Sequence, residues 1–264
     1  MQAKIVGPRE ISLGDQGSFA VPKGFYFIPK AEGMRLMRAW GNVIDPDVFL
    51  GLAFSSRNED QWTAEISFVK EGYVKDDDAK NWNADDLLTN LKEGTQSAND
   101  DRIARGFPEL EVLGWVERPA YDATTHRLVW SLSLKEKNAS ASEPRTVNYN
   151  TYLLGRDGYF TLNFITGSDR IEAEKETART LLSNLSFASG KRYEDFNTST
   201  DKIAAYGIAA LVGGLVAKKL GLLALAALFV VKFVKVIALG AAAVMAGIAK
   251  WFRRRPSSGG GTQA

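Results

Sequence analysis

The 264-residue sequence predicts an α+β fold, with a mainly antiparallel sheet and two or three covering helices, followed by a C-terminal hydrophobic helical membrane region. Three observations carry that reading. Apolar residues alternate with polar ones along several short segments, as in half-buried strands. Segments of helical periodicity are few and lie between groups of strands joined by turn residues, unlike the regular alternation of βαβ units. The composition changes abruptly at Ile203.

In chain order, Phe25 to Ile28 reads as a short strand and Ala31 to Ala39 as a weakly patterned helix. Trp62 to Lys70 reads as a longer strand. Asn83 then opens a helix, with Asp86 three positions later and with Leu87, Leu91 and Ala98 near one face before Gly106. Leu110 to Glu117 is a further strand. Arg127 to Lys135 is the clearest one, with Leu128, Trp130, Leu132 and Leu134 on one side and Arg127, Ser131, Ser133 and Lys135 on the other. Val147 to Leu154 and the alternating Phe160, Leu162 and Phe164 flank Gly155-Arg156-Asp157-Gly158, so the two strands form a hairpin closed by Asp-Gly turn chemistry. Ser168 or Asp169 starts a last helix, whose Ala178, Leu181, Leu182 and Leu185 share a face. Residues 1–201 are thereby expected to form one acidic globular domain.

Charge is divided unevenly along the chain. All 31 Asp and Glu lie at or before Asp201, against 24 Lys and Arg there, and nine basic residues follow. The predicted domain therefore carries a formal −7 and the remainder +9, which excludes nucleic acid as a general partner because the folded part repels phosphate. With no cysteine and His126 as the single histidine, disulfides, thiolate metal sites and His-rich metal sites are excluded. The first 30 residues show no signal-peptide pattern, since Pro8, Arg9, Glu10, Asp15 and Lys23 interrupt any apolar run.

Residues 202–255 are expected to associate with a lipid bilayer. Between Ile203 and Ala249 the only charged residues are Lys218, Lys219, Lys232 and Lys235, too few for the polar face of a soluble helix. A crossing needs ~20 residues, and Phe233 to Phe252 supplies one if the lysines snorkel. Phe233, Val236, Leu239, Val244, Trp251 and Phe252 would face the membrane, and Lys250, Arg253, Arg254 and Arg255 form the cytoplasmic basic flank. Ile203 to Val231 would lie along the opposite interface. Gly207, Gly214 and Gly221, then Gly240 and Gly247, recur every seven residues, the kind of small-residue spacing that lets copies pack as a homo-oligomer. Pro256 to Ala264 reads as a flexible tail.

Chemistry-bearing motifs are sparse. Asp122 and His126 have the residue types of an oriented base, the arrangement a serine hydrolase needs, but no G-x-S-x-G elbow accompanies them and Ser131 and Ser133 lie on a strand. The competing reading is a turn in which Asp122 caps backbone N–H groups and His126 begins the next strand. Asp76, Asp77 and Asp78 could collect a hard cation, although their spacing departs from the EF-hand loop and suits an acidic turn before a helix. No dinucleotide, phosphate-loop or zinc motif is present, so no cofactor is expected.

Several motifs in order add to this reading: Gly72-Tyr73-Val74-Lys75-Asp76-Asp77-Asp78-Ala79; Gly114-Trp115 with Pro119-x-Tyr121-Asp122-x-x-Thr125-His126-x-Leu128-x-Trp130; Asn148-Tyr149-Asn150 with Leu154-Gly155-Arg156; and Arg192-Tyr193-x-Asp195-Phe196 with Thr200-Asp201-Lys202 and Ala205-Tyr206-Gly207. With them the chain resembles the bacterial membrane-anchored family known as domain of unknown function 2167. The resemblance implies an exported domain before a hydrophobic C-terminal anchor, at the bacterial inner membrane with the domain periplasmic. It implies no established activity. The expected function is thus a non-catalytic envelope protein that binds an unidentified ligand or protein partner. The alternatives are a small hydrolase using Asp122 and His126, or an oligomer that alters membrane permeability.

Overall fold

The computed structural model describes residues 4–213 apart from 41, 43, 105 and 141–144. In chain order it contains β1 (Ile5–Val6), β2 (Arg9–Leu13), β3 (Gly17–Val21), β4 (Phe25–Pro29), α1 (Lys30–Ala39), β5 (Phe49–Ser55), β6 (Thr63–Val69) and β7 (Tyr73–Lys75). There follow α2 (Ala84–Ala104), β8 (Leu110–Asp122), β9 (Arg127–Glu136), β10 (Thr146–Leu154), β11 (Tyr159–Gly167), α3 (Ile171–Ser183), β12 (Leu185–Phe187), β13 (Ile203–Gly207) and α4 (Ala209–Gly213). Short 3₁₀ turns occur at Asp77–Lys80 and Tyr193–Asp195. The fold is α+β with a large antiparallel sheet.

Eight strands pair in the order β1-β4-β5-β6-β11-β10-β9-β8, every neighbour antiparallel. Two small sheets accompany it, β12-β3-β2 and the parallel pair β13-β7. The expected Asp-Gly hairpin is present, and Gly155 N–H donates to Gly158 O across the turn at 2.8 Å. The edge strand β8 is less regular. Its register on β9 shifts between Val112 and Gly114, between Trp115 and Glu117 and again before Ala120, and it tolerates Pro119 because only one of its sides is paired.

Side-chain alternation sorts the large sheet into two faces. On one, Ala64, Ile66 and Phe68 of β6, Phe160, Leu162 and Phe164 of β11 and Val147, Tyr149 and Leu153 of β10 meet Ala178, Leu181 and Leu182 of α3. Leu13, Phe19 and Val21 of the small sheet close the same cluster. On the other face the apolar residues form two separate groups. Met37 of α1 covers Ile28, Phe49, Leu52 and Ile165. Leu87 and Leu91 of α2 cover Val112, Leu128, Trp130, Leu132 and Leu134. Between the groups this face carries Thr63, Glu65 and Ser67 of β6, Thr161 and Asn163 of β11, and Asn148 and Asn150 of β10, which the pairing places side by side.

Local chemistry accounts for α2. Asn83 accepts the Asp85 N–H at 2.9 Å, and Asp85 and Asp86 occupy the first turn, where carboxylates suit the helix dipole. Its buried stripe, Leu87, Leu91, Thr95, Asn99 and Arg102, turns polar toward the C-terminus. There the Asn99 amide both donates to Leu110 O at 3.0 Å and accepts from Leu110 N–H at 2.9 Å, so the helix joins β8 by hydrogen bonds where it has no leucines.

The described fold does not stop at the compositional change. Ile203–Gly207 is β13, paired with β7, and Ala204, Ile208, Leu211 and Val212 are buried in the α2 cluster. The start of the expected interfacial segment is thus part of the domain, because apolar composition reports that residues are buried without saying against what. Among the described residues, no helix is long and apolar enough to cross a membrane. The expected span and its flank, Phe233, Val236, Leu239, Val244, Lys250, Trp251, Phe252, Arg253, Arg254 and Arg255, lie outside the described residues. So do Gly214, Gly221, Gly240 and Gly247. Gly207, the first of that series, ends a strand and is not on a helix; a Cβ there would come 2.4 Å from Asp78 Oδ2, so close approach explains this glycine.

Candidate functional site

The turn between β8 and β9 positions the one histidine. Asp122 pairs with Arg127 as the last rung of the hairpin, and His126 takes a left-handed backbone conformation, φ 52°, to re-enter β9. The Asp122 carboxylate faces back into the turn, where it accepts the Thr124 N–H at 2.8 Å and the Thr125 hydroxyl at 2.7 Å. These bonds, the Thr125 hydroxyl first, hold its pKa below the usual carboxylate range. The hydrolase pair read from the sequence is therefore not formed: Asp122 is a turn residue and does not orient His126.

His126 instead meets a different carboxylate through a tyrosine. Tyr121 Oη donates to Asp76 Oδ2 at 2.7 Å and stands 3.0 Å from His126 Nδ1. Asp76 Oδ2 is 3.9 Å from the same nitrogen. A carboxylate only accepts and the tyrosine has one proton to give, so Nδ1–H donates to Tyr121. Burial, followed by the bond to Asp76, raises the Tyr121 pKa far above the ordinary tyrosine value, and the hydroxyl stays protonated.

Aromatic rings hold this triad in place. His126 stacks on Tyr193 with centroids 4.1 Å apart, Tyr193 on Tyr73 at 4.3 Å and Tyr73 on Phe196 at 3.9 Å, giving a column of four rings. Tyr193 Oη donates to Val74 O at 2.9 Å, which fixes the 3₁₀ turn to β7. Beside the column, the Arg156 guanidinium grips Asp201 with two bonds of 2.6 and 2.8 Å, and Asp201 also accepts the Asn197 N–H at 2.7 Å. The Arg156 bonds and the Asn197 N–H keep the Asp201 carboxyl well below its usual pKa. Lys202 O accepts the Tyr73 N–H at 2.8 Å, so the clamp delivers the chain directly into β13.

The three consecutive aspartates diverge. Asp76 is taken by Tyr121, Asp77 is exposed, and Asp78 Oδ2 accepts the Ala209 N–H at 3.3 Å at the start of α4. Among the described residues no three His, Asp or Glu side chains converge as a metal ion would require. Nor, among the described residues, does any serine or threonine hydroxyl bond to His126, whose ring partner is Tyr121. The arrangement can hold a proton between Asp76, Tyr121 and His126.

Sequence reasoning missed Tyr73, Tyr121, Tyr193, Phe196 and Arg156 as members of one site, although all stand in the motifs that carry the resemblance. Those motifs meet here, from β7, the β8–β9 turn, the β10–β11 turn and the 3₁₀ turn before β13. The sequence matches the family described as Protein of unknown function (DUF2167) over residues 5–244. The chain belongs to that family. No curated protein matches this DUF2167 sequence. Among solved structures it is similar to cyanobacterial PsbP (CyanoP) from Synechocystis sp. PCC 6803, with 14% identity, a TM-score of 0.41 and coverage of 71% of this chain and 94% of that one. It is also similar to the Saccharomyces cerevisiae Ran-binding protein Mog1p, with 12% identity, a TM-score of 0.33 and coverage of 67% and 94%. Both likenesses are too distant to transfer a property to this DUF2167 protein.

Removing the central hydroxyl tests whether the site is a structural clamp. Tyr121→Phe leaves Asp76 and His126 without their shared partner, which should cost about 1–3 kcal/mol in urea unfolding. An unchanged midpoint would show that the triad contributes nothing to the fold.

Proposed function

We propose that this DUF2167 chain is a non-catalytic protein of the bacterial envelope. In this reading an acidic α+β domain binds a ligand or partner outside the cytoplasm and is held at the inner membrane by the apolar segment that follows it. The observation that carries the reading is the continuity of β13 and α4 with that segment. The clamp of Arg156 on Asp201 and the ring column secure the chain just before a stretch with no acid and only four charges up to Ala249. Support for a binding role over a hydrolytic one comes from Asp122, whose carboxylate is used up in its own turn.

Membrane attachment predicts that the full-length protein, expressed in a bacterium, sediments with membranes, resists alkaline carbonate and enters solution only with detergent. Recovery in the soluble fraction without detergent would end the proposal. Protease added outside spheroplasts tests the side: cleavage within the domain containing Trp130 supports an extracytoplasmic domain, and protection until lysis overturns it.

A further inference from the structure

The face of the sheet between α1 and α2 has a chemistry that neither the ring column nor the clamp uses. α1 packs on β4 and β5, while α2 packs on β8, so the two helices stand toward opposite ends of the sheet. Between them Thr161 and Asn163, on a central strand, remain partly exposed. The floor is polar where the opposite face is apolar. Glu65 and Asn163 are directly opposed, as are Asn163 and Asn150, so a carboxyl and two amides cross three strands in one row.

Glu65 is 8% exposed and has no cationic partner among the described residues. Its bonds come from neutral groups, Ser67 Oγ at 3.0 Å and Asn163 Nδ2 at 3.5 Å. Asn148 and Thr63 flank the same row, and Asn148 Oδ1 and Thr63 Oγ1 are buried without a hydrogen-bond partner. Burial pushes the Glu65 carboxyl up to about 7, which marks a missing counter-charge. Buried polar atoms of this kind cost stability, and one explanation for keeping them is a ligand that satisfies them. Tyr152 continues the floor on β10, backed at 6.4 Å by the stacked ring of the buried Trp130 on β9, and offers an aromatic flank to a cation or its carbon chain. A metal ion does not suit the floor, which has a single carboxylate.

We propose that this polar face binds a small organic molecule bearing a primary ammonium group, with that group on Glu65 and a second hydrogen-bond donor on Asn148. The two residues stand two strands apart and two positions off register, about 12 Å on the diagonal of the sheet, which sets a short-chain amine as the ligand class. The inference names the ligand of the binding role proposed above and rests on that role. It does not depend on membrane attachment, so the fractionation result and the binding result can fail separately.

Calorimetric titration of the full-length protein in detergent with 1,4-diaminobutane is the direct test, with 1,4-butanediol as the uncharged control. Saturable one-to-one binding of the diamine and none of the diol is expected. Glu65→Gln should weaken binding at least tenfold, and Thr161→Trp, which places a bulky ring at a partly exposed position beside the row, should abolish it while circular dichroism remains that of the wild type. Absence of saturable binding to the wild type, equal affinity for the diol, or undiminished binding to either folded variant would overturn the proposal.

Discussion

A chain ended at Asp201 should fail to reach the stability of one ended at Gly213. The shorter form lacks β13 and α4, and with them Ala204, Ile208, Leu211 and Val212, all buried among Leu87, Leu91 and the leucines of β9. Burying three large aliphatic side chains is worth roughly 5–8 kcal/mol as an upper estimate. That is comparable with the whole stability of an ordinary domain, about 5–15 kcal/mol. The shorter chain also exposes the apolar surface of α2 that α4 covered. Urea unfolding followed by tryptophan fluorescence should show a cooperative transition for 1–213 and an early, shallow or absent one for 1–201. Coincident transitions would mean that the last two elements decorate a fold complete without them.

The second large effect concerns pH. The folded protein raises the Glu65 carboxyl from 4.5 to about 7, chiefly through burial, with the Ser67 and Asn163 bonds acting in the opposite direction. Between those values the folded state holds a proton that the unfolded chain has released. Stability contributed by this group is therefore fully present below about 4.5 and is lost as the pH rises through about 7. The loss amounts to roughly 3 kcal/mol, at 1.36 kcal/mol for each pKa unit. Glu65→Gln keeps the shape and removes the titration. Its stability relative to wild type should rise by about that amount between pH 4.5 and 8, and parallel curves for the two proteins would refute the assignment.

Much of the large sheet is legible in the sequence because its strands obey simple periodicities. Leu128, Trp130, Leu132 and Leu134 are all buried on one side of β9, as their alternation requires, and Asp157-Gly158 marks the β10–β11 hairpin. The sheet β12-β3-β2 is not legible. Its strands have three to five residues and include Gly17, Ser18 and Ala20, whose pattern gives no period. β5 escapes for another reason: Phe49-Leu50-Gly51-Leu52-Ala53-Phe54 is apolar on both faces, so strand and helix look alike.

The site was harder still. Nearness in sequence suggested Asp122 as the companion of His126, yet the hairpin turn spends that carboxylate on Thr124 and Thr125. The true companions, Asp76 and Tyr193, lie 50 residues before and 67 residues after the histidine, and tertiary contacts bring those segments together, among them the parallel pairing of β7 with β13 and the bond from Tyr193 Oη to Val74 O. No local pattern encodes a contact of that range.

The irregular register of β8 bears on how this protein behaves when crowded. A long straight outer strand with free N–H and C=O groups is a template on which a second molecule can extend the sheet. Here the opposite rim is β1, two residues long, while the thirteen residues of β8 are broken by three shifts and by Pro119, which lacks the N–H that a new strand would need. Neither rim of the large sheet therefore offers a crowded second copy a flat edge on which to polymerise, and contacts made at those rims must be built from side chains and not by adding strands.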